Sequence, residues 1–73
     1  MLKWKSLNNE GDLIAETPLG EFTIGEIHRD TFLVVHRYIK DGQLEDEVLT
    51  EEDNLFDAKR TAQLNYDGIV QTL

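Results

Sequence analysis

At Asn54 the spacing of the apolar residues changes, and this change limits the chain to one fold class. Before it, apolar residues recur at every second position, the repeat of an extended strand. In Thr31–Ile39, Phe32, Val34, His36 and Tyr38 lie on one face and Leu33, Val35, Arg37 and Ile39 on the other. Both rows are largely apolar, which predicts an internal strand covered on one side and partly covered on the other. After it, Leu55, Ala58, Ala62, Tyr66, Ile69 and Leu73 fall within about 60° of one another on a helical wheel. Asn54 is a suitable N-cap, and Asp57 at the third helical position resembles the partner in a capping box. Small Ala58 and Ala62 let such a helix approach a sheet closely. Gly68 either ends this helix or weakens it by about 1 kcal/mol.

The strands upstream are marked off by turns. Leu2, Trp4 and Ser6 alternate with Lys3, Lys5 and Leu7, predicting a short edge strand before the turn-forming Asn8–Asp12. Leu13–Thr17 and Glu21–Ile27 flank Thr17-Pro18-Leu19-Gly20, whose Pro and Gly suit a type I turn. Gly25 is the position expected to bulge so that Ile27 can change its facing. Asp41-Gly42 is a hairpin signal, so Leu44–Leu49 is expected to return as an edge strand if its acids allow it. The expected fold is α+β: one domain over residues 1–73, an antiparallel meander of three to four strands packed by one C-terminal helix.

Charge is distributed very unevenly. The chain has 15 acids and seven Lys or Arg residues, a formal charge of −8. Asp41–Asp57 contains eight of the acids and no Lys or Arg, whereas acids and bases balance elsewhere. Direct binding to nucleic acid or to an anionic membrane is therefore disfavoured, because both need cationic side chains. The chain has no cysteine, which removes disulfides, thiol catalysis and cysteine-ligated zinc. Without an apolar run of roughly 20 residues or an evident signal sequence at its start, the expected location is the cytoplasm.

Within the acidic segment, Glu45, Asp46, Glu47, Glu51, Glu52 and Asp53 fall in nine consecutive positions. The spacing fails for a calcium loop of the EF-hand type, since Asp41-Gly42 follows Ile39 and Arg37 where acids are required. A looser calcium site from Glu45, Glu47 and Glu51 is the weaker alternative, and no metal or cofactor is expected. Glu51, Glu52 and Asp53 are explained in part by the dipole of the following helix. Glu45–Glu47 repel one another with no such return, in a domain of small stability margin. Two readings stay open: a solvated face, or a surface that meets a positively charged partner.

Catalysis has little support in the sequence. The only serine is Ser6, with no activating base nearby. His28 and His36 fall in different elements, and His36 reads as a part-buried sheet residue. The expectation is a non-enzymatic protein without catalytic residues. Among the aromatics, Trp4, Phe22, Phe32, Tyr38 and Tyr66 suit core positions, whereas Phe56 and Leu64 fall off the helical stripe. An exposed Phe56 beside the acids would serve as an interface anchor. The candidate partner-binding residues are thus Glu45, Asp46, Glu47, Glu51, Glu52, Asp53 and Phe56.

Two stretches carry a family resemblance. Trp4, followed by Ala15, Thr17, Gly20, Phe22 and Ile24, fits A-x-T-x-x-G-x-[FY]-x-[IV]. Asn54, Leu55, Ala58, Lys59, Ala62, Gln63 and Tyr66 fit a helix of the form [SN]-L-x-x-A-K-x-x-A-Q-x-x-Y. Together they resemble short uncharacterised bacteriophage and prophage proteins. The match covers a little under half the chain and departs at Asp67-Gly68-Ile69, where that group has Arg-Ile after the Tyr. The resemblance implies a small viral gene product in a host cell, of the kind that binds and blocks or redirects a host complex, including defence systems. The expected partner is a host protein with a basic surface, engaged by acids that imitate a nucleic acid. The alternative is a structural or self-assembling module, a homodimer formed through an uncovered sheet face.

Overall fold

A computed structural model describes residues 1–73 and contains one antiparallel sheet with one helix against it. The strands are β1 (Lys5–Ser6), β2 (Leu13–Thr17), β3 (Gly20–His28), β4 (Thr31–Lys40) and β5 (Gln43–Glu52), followed by α1 (Leu55–Gln71). Spatial order equals chain order, as in a meander. There are five strands where three to four were expected. Two short or acidic segments account for the difference: β1 has only two residues, and β5 extends to Glu52 despite its carboxylates.

α1 covers one face of the sheet. Ala58 and Ala62 are fully buried, and the cluster beneath them contains Leu2, Ala15, Phe22, Ile24 and Val34. Leu55 and Tyr66 complete the helical stripe, and Tyr66 meets Phe22 edge-to-face with centroids 6.0 Å apart. Phe22, Ile24 and Val34 are the largest fully buried side chains, each worth roughly 1.5–3 kcal/mol of burial. Leu73, placed on the stripe by its spacing, lies beyond the helix and is exposed. Gly68 lies inside α1.

The hairpins show how closely turn chemistry follows sequence. Asp41 and Gly42 have φ values of 53° and 78°, the two positive angles of a type I′ turn, and Lys40 pairs with Gln43 across it. Between β2 and β3, neither Pro18 nor Leu19 has a positive φ, while Gly20 has φ 117°. The Leu19 amide donates to Thr17 Oγ1, whose hydroxyl in turn donates to the Gly20 carbonyl.

His36 fastens that turn to the sheet. It is 5% exposed, stacks on Phe22 with ring centroids 4.3 Å apart, and has Nε2 3.0 Å from the Leu19 carbonyl oxygen. A carbonyl only accepts, so Nε2 carries the proton. The sheet-residue reading of His36 therefore holds, and its role is to anchor the turn.

Two bulges reset the facing of side chains. In β3 the pairing skips Ile27, since Glu26 faces Phe32 and His28 faces Thr31. The bulge is thus at Ile27 itself and not at Gly25, which pairs regularly with Leu33. In β5, Val48 faces Val35 and Thr50 faces Val34, leaving Leu49 as the inserted residue. Leu49 packs against the core.

A Cβ built on Gly20 would overlap the Arg37 carbonyl oxygen and lie 3.0 Å from His36 Nε2. With φ already in the left-handed region, Gly20→Ala is expected to destabilise the fold by at least about 2 kcal/mol. Equilibrium urea unfolding will measure this. A loss below about 0.5 kcal/mol would mean that the turn does not make this close approach.

Candidate functional site

β5 is an edge strand, so the acidic segment alternates across the sheet and does not form a single patch. Glu45 and Glu47 face Tyr38 and His36 on the helix side, whereas Asp46 faces Arg37 on the open side. The Leu49 bulge inverts the parity beyond it. Glu51 consequently faces Leu33 on the open side and Glu52 faces Phe32 on the helix side. Asp53 follows the strand, ahead of the helix cap.

The structure gives these acids different roles. Arg37 donates from Nε to Asp46 Oδ1 at 2.6 Å and from a terminal nitrogen to Oδ2 at 3.1 Å. Those hydrogen bonds, together with the positive charge, hold the Asp46 carboxyl below the usual carboxylate range. Glu52 is half-buried and accepts from the Thr61 hydroxyl at 2.8 Å, tying the strand end to the helix. Glu45, Glu47, Glu51 and Asp53 accept no side-chain hydrogen bond and join no ion pair, and all four are exposed. Four of the six candidate carboxylates thus remain available to a partner. Glu51 lies on the opposite face from Glu45 and Glu47, so the looser calcium arrangement cannot converge, and no group of three His, Asp or Glu residues is placed to hold a metal ion.

The helix entry borders the same edge. The Asp57 amide donates to Asn54 Oδ1 at 2.8 Å, and Asn54 Nδ2 donates to Asp57 Oδ2 at 2.9 Å. This is the cap expected from the sequence, and it satisfies one of the helix's open N–H groups. Phe56, two residues past the cap, is 75% exposed and takes no part in the core. Its ring is therefore free for contact with another molecule.

Sequence reasoning missed a second feature, on the face that α1 leaves open. Glu16, Glu21, Arg37 and Asp46 occupy successive strands in one cross-strand row. Lys5 pairs with Glu16 beside it, so both ion pairs of the protein lie on this face. Exposed Ile39 and Leu44 lie on one side of the row, and Val48, Leu33 and Val35 on the other. Alternation in single strands revealed the apolar residues. The charged row needed the register of four strands at once.

No helix is long and apolar enough to cross a membrane. No protein-family model matches the chain, nor does any curated protein or solved structure.

The two residues at the helix entry are expected to behave differently. Asn54→Ala should cost about 1 kcal/mol through loss of the cap. Phe56→Ser should stay within about 0.5 kcal/mol of the parent, as a surface change. Thermal unfolding will separate them, since 1 kcal/mol corresponds to roughly 4–8 °C in a domain of this size. A loss for Phe56→Ser equal to that for Asn54→Ala would assign Phe56 to the fold and not to a free surface.

Proposed function

We propose that this chain is a non-catalytic protein-binding module that engages a basic protein surface along β5 and the start of α1. The observation that carries the proposal is the state of the β5 edge: Gln43–Val48 are exposed, and the strand pairs on one side only. Four carboxylates in and after it have no partner within the chain. Edge charge by itself guards against unwanted sheet pairing. Unpaired acids spread along the strand, with the exposed Phe56 just past its end, add the combination of electrostatic steering and an apolar anchor that a partner surface uses. In keeping with the resemblance to phage and prophage proteins, the partner class is a host protein or complex whose basic surface ordinarily holds nucleic acid, which the module blocks or modulates in the host cytoplasm.

A second reading has one observation in its favour. Ile39, Leu44 and Val48 are 73%, 63% and 61% exposed on the open sheet face, so a second copy would bury apolar area there. It would also bury the Lys5–Glu16 and Arg37–Asp46 pairs, and burying ion pairs often costs more than it returns. The edge-binding reading is therefore preferred.

Two measurements separate these readings. Glu45, Glu47 and Glu51 changed together to Lys should abolish capture of the host partner on the immobilised protein, and capture by the parent should weaken steeply with added salt. Asp46 is left in place because its reversal would oppose a lysine to Arg37 and disturb the sheet. Unchanged capture by the folded triple variant would refute the edge-binding reading. Sedimentation equilibrium is expected to return the 8.4 kDa monomer, and a dimer persisting at high salt would instead favour assembly through the open face.

A further inference from the structure

β5 is the one long edge of the sheet. The opposite edge is β1, which has two residues against ten in β5. In an antiparallel ladder every second residue turns its N–H and C=O away from the neighbouring strand. Along Gln43–Val48 those outward groups have no partner in the chain, because the backbone of this segment bonds only across to β4. The side-chain hydrogen bonds of β5 are those of Asp46, Thr50 and Glu52, and none of them reaches it. The register is unbroken from Lys40–Gln43 to Val35–Val48, and the bulge at Leu49 ends it.

The two faces of this edge differ in charge. On the helix side stand Gln43, Glu45 and Glu47, opposite Lys40, Tyr38 and His36. Neither glutamate joins an ion pair, and Lys40 forms none either. On the open side stand Leu44, Asp46 and Val48, opposite Ile39, Arg37 and Val35. Arg37 already holds Asp46, so this row presents two exposed apolar side chains on either side of a neutralised pair. The edge is thus negative on one face and apolar on the other.

We infer that β5 takes up an extended segment of the protein partner as a sixth strand along Gln43–Val48, and that this segment alternates Lys or Arg with apolar residues. Strand addition supplies backbone hydrogen bonds, while the side chains set directly opposite decide which segment fits. Cations at every second position lie beside Glu45 and Glu47, and the apolar residues between them lie beside Leu44 and Val48. A second copy of the chain does not fit. Pairing antiparallel about Asp46 would set Glu45 of each chain opposite Glu47 of the other, and like charges directly opposite destabilise a sheet. The acids therefore exclude self-pairing and admit a basic strand. The inference rests on the edge-binding reading and deepens it, by naming the conformation and the residue pattern recognised.

The test is an NMR titration of the ¹⁵N-labelled protein with acetyl-Val-Lys-Val-Lys-Val-Lys-amide, and with acetyl-Val-Val-Val-Lys-Lys-Lys-amide, which has the same composition without the alternation. The alternating peptide is expected to shift the amides of Gln43–Val48 and to slow hydrogen exchange at every second one, those turned outward. The block peptide should bind about tenfold more weakly, through loss of several cross-strand pairs. Glu45→Gln and Glu47→Gln should each weaken the alternating peptide by about threefold, as expected on losing one oppositely charged pair. Glu10→Gln, which removes the same charge from the loop before β2, should leave its affinity unchanged. Equal affinity for the two peptides, no binding, no slowed exchange in Gln43–Val48 at saturation, or an equal loss from Glu10→Gln and Glu47→Gln would overturn strand addition. None of these results would refute binding of a basic surface along β5, which the Glu45, Glu47 and Glu51 reversal tests separately.

Discussion

The close seating of α1 on one face of the sheet is the contact on which the rest of the molecule depends. It is possible because the two helix residues nearest the sheet are alanines, fully buried at Ala58 and Ala62. A bulkier side chain at either position would hold the helix away from Phe22, Ile24 and Val34 and open voids in a core of only a few large residues. A chain of 73 residues has little other burial on which to draw. One helix cannot cover both faces of a five-stranded sheet. The same contact that builds the core therefore also creates an open face and an unpaired long edge.

What occupies that face and that edge follows from register. On the open face, four strands bring Glu16, Glu21, Arg37 and Asp46 into one row, so the apolar surface there is divided and its cations are used internally. Along β5 the Leu49 bulge directs Glu52 towards Thr61 and Glu51 away from it. A carboxylate that would otherwise repel its neighbours thereby becomes a tie between strand and helix. The remaining acids are left along an exposed edge with no cation to meet them. The high local charge is tolerable because alternation sends adjacent carboxylates to opposite faces, which lengthens the distances between them.

A recess at the end of the sheet, between the β2–β3 turn and the β4–β5 hairpin, arises from the same geometry. β4 and β5 are ten residues each and β3 is nine, but the β3–β4 pairing begins at the opposite end, so the hairpin tip extends beyond its neighbour. His36 and Gly20 are among the residues that line the recess, the one binding the Leu19 carbonyl and the other allowing close approach by having no side chain. Groups that stabilise the turn thus also shape the recess beside it, which Ile69 of α1 borders.

Much of this was legible in the residue order. The change of period at Asn54, the Asn54–Asp57 cap, the Asp41-Gly42 hairpin and the exposure of Phe56 and Leu64 all follow from local preferences, which act within a few residues and need no tertiary partner. The sequence by itself determined an α+β meander under a C-terminal helix, with its negative charge gathered into one segment. Only the tertiary structure decided that the acidic segment is a full strand, that bulges fall at Ile27 and Leu49, and that the acids divide between two faces. The physical reason is that a strand's facing depends on its pairing register. One inserted residue reverses every side chain beyond it, and whether that insertion is tolerated depends on the neighbouring strand and the packed helix.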